Sequence, residues 1–321
     1  MNNLHSNDRL TIGISQMSPV WLDKEKTLAK IIAEIHQAGA QGCELLVFGE
    51  ALLPGYPFWL ELTDGARFNS EVQKEMYALY LQQAVQVEAG DLNQVQEASA
   101  QYKMAIYLGC VERAADRGNH SLYCSLVYIN PAGSIASVHR KLVPTYEERL
   151  VWSPGDGQGL RVHALGAFTV GGLNCWENWM PLPRAALYAQ GENLHVAVWP
   201  GSVRNTEDIT RHIAKESRSY VISACSLMRR EDISPVIPYA AEIIKNAPAI
   251  LANGGSCLAG PDGSWVLAPV VDKEVLLVAT IDQKEVRKER QNFDSSGHYS
   301  RPDVFQLQVD RQRQCLVNLK D

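Results

Sequence analysis

Gly172-Leu173-Asn174-Cys175-Trp176-Glu177-Asn178-Trp179 ends an apolar run, Phe168-Thr-Val-Gly-Gly-Leu173, in a polar and aromatic cluster that carries one cysteine. The run reads as a strand. Pro181, Pro183 and Gly191 then bracket a short helix over Arg184–Gln190, since proline is tolerated in a first helical turn and glycine is favoured just past the last one. Cys175 therefore stands at a strand-to-helix elbow. In open α/β sheets ligands bind outside the carboxyl ends of the strands, which favours chemistry for a thiol there. The competing reading is a small buried hydrophobe, as most free cysteines are, and position alone leaves both open.

The same grammar recurs outward from this stretch. Glu44-Leu-Leu-Val-Phe48 is an unbroken apolar run, expected of a strand buried on both faces, and Gly49-Glu50 follows at once. Leu122–Ile129 runs through the turn Asn130-Pro-Ala-Gly133 into a return strand, Ser134–Val138, after which stand His139-Arg140-Lys141. Gly255–Leu267 repeats this strand, turn, strand pattern. Further strands are expected at Leu10–Ser15, Met104–Val111, Leu194–Trp199, Tyr220–Leu227 and Val304–Val309. Helices are expected over Val20–Gly42, with Asp23 as N-cap and Lys30 paired to Glu34, over Asn69–Val87, and from a cap at Asp91 to Tyr102. Two more fall at Thr206–Arg218 and Asp282–Arg290. Strands and helices alternate with no low-complexity linker, so one α/β domain is expected over 1–321, its core about 10–310 and a short tail beyond.

Composition narrows the function. At 321 residues, 46% hydrophobic and 21% charged, the chain can bury a large core as an ordinary soluble protein. A net charge of -6 and the lack of any basic run argue against nucleic acid, whose phosphates need a basic face. Cys43, Cys110, Cys124, Cys175, Cys225, Cys257 and Cys315 are odd in number and lack C-x-x-C spacing, which fits reduced thiols in a cytoplasmic protein and no disulfide framework. No histidine spacing suits a metal, no G-x-G-x-x-G or P-loop suits a nucleotide, and no stretch suits a membrane span. No cofactor and no metal are expected.

Three strands thus end in Glu50, Lys141 and Cys175. An ordinary thiol, with a pKa near ~8.5, is mostly protonated at neutral pH, so a cysteine nucleophile needs a base. Glu50 can accept that proton. Lys141 can lower the thiol pKa and stabilise negative charge as an attacked carbon becomes tetrahedral. Taken singly, each is more simply a solvated strand-end charge; their coincidence after three buried strands favours chemistry.

Four stretches carry a resemblance: Phe48-Gly-Glu50-Ala-Leu-Leu-Pro-Gly-Tyr-Pro57, His139-Arg-Lys141-Leu-Val-Pro-Thr145, Asn174-Cys175-Trp-Glu-Asn178 and Gly297-His-Tyr-Ser-Arg-Pro-Asp-Val-Phe305. Their order and spacing resemble the nitrilase branch of the carbon-nitrogen hydrolase superfamily over about residues 10–310. The resemblance implies an αββα sandwich and a Glu-Lys-Cys triad at Glu50, Lys141 and Cys175. It implies a further glutamate at Glu148, with Glu147 as its neighbouring alternative. Cys-Trp-Glu is the form typical of nitrilases proper, so a nitrile and water are the expected partners; an amidase, a hydratase and a catalytically silent scaffold are the alternatives. The chain departs from the family in having Gly49 where Pro is common, and its tail beyond Phe305 is shorter than in many filament-forming members. A homodimer or larger closed assembly is expected, using the apolar face at Ala185–Tyr188. Tyr56 and Trp176 are candidate pocket walls, His139 and Glu177 candidate hydrogen-bonding supports, and His298, Arg301 and Asp303 candidate braces of the terminal loop.

Overall fold

The computed structural model describes residues 8–315 and 317. The first half runs β1 (Arg9–Gln16), α1 (Lys24–Ala40), β2 (Leu45–Phe48), α2 (Trp59–Leu62), α3 (Glu71–Gln83), α4 (Asn93–Tyr102), β3 (Ala105–Arg113), β4 (Leu122–Ile129) and β5 (Ile135–Arg140). The second runs β6 (His163–Leu165), β7 (Phe168–Asn174), α5 (Pro181–Tyr188), β8 (Leu194–Trp199), α6 (Val203–Ser217), β9 (Tyr220–Cys225), β10 (Leu227–Arg229) and α7 (Ala240–Asn246). It closes with β11 (Ile250–Ala259), β12 (Trp265–Val271), β13 (Val275–Asp282) and α8 (Gln283–Glu289).

Two sheets result. One has the order β13-β1-β2-β3-β4-β5 and the other β10-β11-β9-β8-β7-β6, with β12 on β11. Each is parallel at its centre, β1-β2-β3 and β7-β8-β9, and antiparallel toward its edges. The unbroken apolar runs explain the layering, because alternate residues of one strand serve two cores. Leu45 and Val47 of β2 face the second sheet, where they meet Val196 and Val198 of β8 and their neighbours. Leu46 and Phe48 face outward onto Leu28, Ile31 and Ile35 of α1 and Val95 of α4. Ala197 and Trp199 of β8 likewise pack outward on Ile209 and Ile213 of α6. Helix, sheet, sheet, helix is the resulting order of layers.

Several local expectations change. Asp23 caps α1 through Lys26 N at 3.0 Å, but Lys30 reaches across to Glu274 at 3.0 Å while Glu34 accepts from Ser15 Oγ; cross-layer partners outbid the helical pair. Asp91 does not cap α4. Its carboxylate instead takes Gln86 N and Lys24 Nζ. Asn69–Val87 forms a helix only from Glu71 to Gln83, because Val85 leaves to bond Val111 and Arg113 of β3. Val304–Val309 is not a strand. It alternates in the right way, but its apolar side chains are exposed and it pairs with no strand among the described residues, without which alternation is not structure. The two hairpins do occupy matching places, one in each sheet, and each turns on a glycine at φ 79°, Gly133 and Gly263.

Candidate active site

The carboxyl ends of β2 and β8 meet where the sheets face each other. Glu50 N–H donates to Trp199 O at 3.1 Å, which pins the residue after β2 to the end of the opposite sheet. Gly49 makes that approach feasible, since a Cβ at this position would overlap Ser226 Oγ and lie 2.9 Å from the Ser226 backbone nitrogen. Lys141 extends β5, its N–H bonded to Cys124 O at 2.8 Å. Cys175 begins a 3-10 turn directly after β7 and holds φ +47°. A non-glycine residue in the left-handed region is strained, and such strain gathers at functional sites when the surroundings enforce it. Ala51 and Tyr146, at φ +48° and +38°, place similar strain beside Glu50 and Glu148.

These elements deliver four side chains to one place. Lys141 Nζ donates to Glu50 Oε1 at 2.8 Å and to Glu148 Oε2 at 2.7 Å. Cys175 Sγ and one carboxylate oxygen each from Glu50 and Glu148 lie within 4.8 Å of one another. Glu50, Lys141 and Glu148 are 1% exposed and Cys175 3%, so the cluster is nearly dry and its charges act at full strength. Glu50 Oε2 is buried with no hydrogen-bond partner among the described residues. Of the two glutamates offered by sequence, Glu148 reaches Lys141, and Glu147 accepts instead from the Tyr56 hydroxyl at 2.7 Å. That hydroxyl also lies 3.1 Å from Glu148 Oε1.

Burial pushes the Glu50 carboxyl up to about 7, against the pull of Lys141 and with help from the Glu148 charge. Burial also opposes charge on Lys141, but the negative charges that can form beside it, first a Cys175 thiolate and then Glu50 and Glu148, outweigh burial and raise the ammonium well above its usual range. The thiol of Cys175 is raised rather than lowered. Burial and the Glu50 charge exceed the pull of Lys141, so the sulfur rests as a thiol beside a carboxylate poised near neutral pH, the condition under which a general base works best. The Trp176 backbone N–H faces the same sulfur. Three metal-type donors stand together here, but the ammonium of Lys141 already bridges two of them, and a metal cation would meet like charge.

Glu177 ties the two sheets at this end. Its Oε2 accepts Asn174 N at 2.8 Å and its Oε1 accepts Leu142 N at 2.6 Å, which joins the residue before Cys175 to the residue after Lys141. His139 Nε2 lies 3.0 Å from Glu177 Oε2, and both side chains are buried. They brace the site without touching the thiol. Tyr56 stands against Trp152, rings 5.6 Å apart and edge-on, at the side where Trp152 also lies 5.7 Å under Lys141 Nζ. Trp176 is 51% exposed and rests by Trp179, the ring centres 6.3 Å apart. His298 is exposed, and Arg301 pairs with Asp303 at 2.7 Å on the surface; these three lie in the terminal loop. Two side chains of the site escaped the sequence reading, Trp152 and Cys124. Neither sits at a strand end, the signal that found the others.

A family model described as carbon-nitrogen hydrolase matches residues 11–291. The chain belongs to the carbon-nitrogen hydrolase family. Among its curated relatives, a protein named Nitrilase 2 from an unknown prokaryotic organism is 35% identical over 314 residues, covering 97% of this chain and 96% of its own length. An aliphatic nitrilase of Sinorhizobium fredii (strain HH103) is 35% identical over 310 residues, covering 95% and 96%. Among solved structures, a carbon-nitrogen hydrolase from Helicobacter pylori G27 superposes with a TM-score of 0.68 at 20% identity, over 92% of this chain and 96% of that one. That likeness supports the four-layer fold.

Proposed function

We propose that this carbon-nitrogen hydrolase is a nitrilase, converting an organic nitrile and two waters to a carboxylic acid and ammonia. The observation that carries the reading is the closed cluster in which Lys141 bridges Glu50 and Glu148 beside Cys175 while Glu50 Oε2 stays unpaired. Glu50 takes the thiol proton as sulfur adds to the nitrile carbon, and the proton passes to nitrogen to give a thioimidate. The Lys141 ammonium, held beside the thiol by Glu50 and Glu148, stabilises the charge that develops at this nitrogen, a preorganised stabilisation of the kind that dominates such steps. Glu148 holds Lys141 in place and protonated. Water adds to the thioimidate, ammonia leaves a thioester, and a second water releases the acid and restores the thiol. If the first tetrahedral species expels sulfur instead, the product is an amide. Ammonia release and product analysis over a small panel of nitriles test the reading: acid with ammonia supports a nitrilase, amide alone a hydratase, and no turnover of any nitrile contradicts it.

We infer a single domain, because both halves of the chain supply the cluster, and a cytoplasmic enzyme, because all seven cysteines are free. Among the described residues no helix is long and apolar enough to cross a membrane. A homodimer or larger assembly is retained with its surface revised. Ala186, Leu187 and Tyr188 are consumed by the chain's own core, whereas Trp176, Trp179 and Leu182 beside the elbow are exposed. Light scattering across dilution, read with activity, tests this; a fully active monomer overturns it.

A further inference from the structure

Cys124 lies on β4 with its thiol against the carboxylate read above as the base. Its Sγ donates to Glu50 Oε1 at 3.3 Å, and the residue is fully buried. Lys141 Nζ donates to the same oxygen at 2.8 Å. Two donors thus converge on Oε1, and among the described residues none reaches Oε2. A carboxylate held by one donor can still pivot, because the last torsion of a glutamate is broad and roughly two-fold. A second donor, fixed to another strand, removes that freedom. Thiols are weak donors in water, but in a dry interior such a contact is strengthened.

We propose that Cys124 is a positioning residue, anchoring Glu50 Oε1 together with Lys141 so that Oε2 is reserved for the proton of the Cys175 thiol. The inference rests on the reading of Glu50 as base. In the step it serves, the S–H bond of Cys175 breaks, the proton bonds to Oε2, and the electron pair left on sulfur forms the bond to the electrophilic carbon, as one C≡N π pair of a nitrile moves onto nitrogen or, with iodoacetamide, as the C–I bond breaks and iodide leaves. The titratable groups whose charges bear on this carboxylate or feel it are Lys141, Glu148, Cys175, Cys124, Tyr80 of α3 and Cys225 at the end of β9. Only Lys141 and Cys124 hydrogen-bond to it among the described residues.

The test compares full-length wild type with Cys124→Ala and Cys124→Ser, following alkylation of Cys175 by iodoacetamide, read on the Cys175 peptide by mass across pH, alongside kcat/KM for a nitrile. Loss of a donor to the ionised form raises a carboxyl pKa, so Cys124→Ala is expected to move the acid limb of both profiles up by about half a pH unit or more. Its kcat is expected to fall by roughly 3- to 10-fold with KM nearly unchanged, the pattern of a lost transition-state arrangement. Cys124→Ser, with a stronger hydroxyl donor, is expected to return the limb to the wild-type position or below. An unmoved limb in Cys124→Ala, or a serine variant that shifts as alanine does, overturns the proposal. If the alanine variant does not fold, the serine limb decides alone: at or below wild type supports, above wild type overturns. Alkylation needs no nitrile, so failure of the nitrilase reading leaves this limb still measurable, and a normal nitrilase with an unmoved limb sinks only the role of Cys124.

Discussion

Arg140 and Lys141 are neighbours at the end of β5, and each is a buried cation between two carboxylates, yet the two clusters are built to opposite ends. Arg140 spends its guanidinium fully. Nε and one terminal nitrogen bind both oxygens of Glu112 at 2.9 and 2.6 Å, and both terminal nitrogens bind Asp116 at 3.1 and 2.8 Å. Ser125 Oγ adds a second donor to Glu112 Oε2 at 2.6 Å, and the Tyr123 ring lies 4.3 Å from the guanidinium carbon. Lys141, by contrast, leaves Glu50 Oε2 orphaned and a protonated thiol alongside. A satisfied buried network fixes structure, whereas an unsatisfied one marks a place where a reacting group completes the set. Adjacent residues of like charge therefore divide the labour, one toward the fold and one toward the reaction.

Substitutions can break that comparison. The largest effect is expected at Cys175→Ala, which removes the nucleophile: turnover should fall by roughly 10⁴-fold or more while the thermal midpoint stays near wild type, since thiol to methyl is a small change in volume. Steady-state kinetics with a melting curve checks both halves. Next come the paired variants Lys141→Met and Arg140→Met. Loss of Lys141 should cost on the order of 10²- to 10³-fold in kcat, the scale of one lost electrostatic donor. Loss of Arg140 should instead cost stability, about 3–5 kcal/mol for a buried pair broken on one side, with kcat/KM of the folded fraction changed by less than about tenfold. Equal catalytic losses in the two would erase the distinction.

Glu177→Gln sharpens it further. The amide cannot accept on both of its ends, so one of the bonds to Asn174 N and Leu142 N is lost, and a misplacement of the elbow by an ångström can cost on the order of 10²-fold. The acid limb of the pH profile should stay where it was, because Glu177 does not touch Glu50. That limb is the mildest test. Glu50 accepts a proton only when ionised, and burial puts its carboxyl at about 7. kcat/KM should therefore rise through about pH 7 and fall tenfold per unit well below it; a limb near the ordinary carboxylate value would contradict the buried environment.

Much of this was readable before any coordinates. Glu50, Lys141 and Cys175 announce themselves because each stands just past an expected strand, and the double-faced packing of Leu45–Phe48 follows from the unbroken apolar run before Glu50. The partners that complete the site do not. Cys124 is one apolar-looking residue inside a strand, and its bond to Glu50 spans 74 positions of chain. The pull of Lys141 on the Cys175 thiol is legible in the sequence and is present in the structure, but burial and two carboxylates, which no spacing reveals, outweigh it. Trp176 stands beside the nucleophile in sequence, but its place there does not reveal that it is half exposed and lies against Trp179. Val275–Asp282 is a strand on β1 that its sequence, with no clear period of two, does not mark, whereas Val304–Val309 has that period and is not a strand, because such patterning reports a half-buried surface only where a neighbouring strand exists to pair with.

The central claim is that the unsatisfied cluster around Lys141 performs covalent chemistry at Cys175. Acid quenching of the enzyme during turnover of a nitrile, followed by intact mass and peptide mapping, tests it most directly. The account predicts an adduct of the acyl or imidate mass on the Cys175 peptide, lost in Cys175→Ala and retained in Arg140→Met; continued turnover with no adduct, or an adduct on another residue, would contradict it.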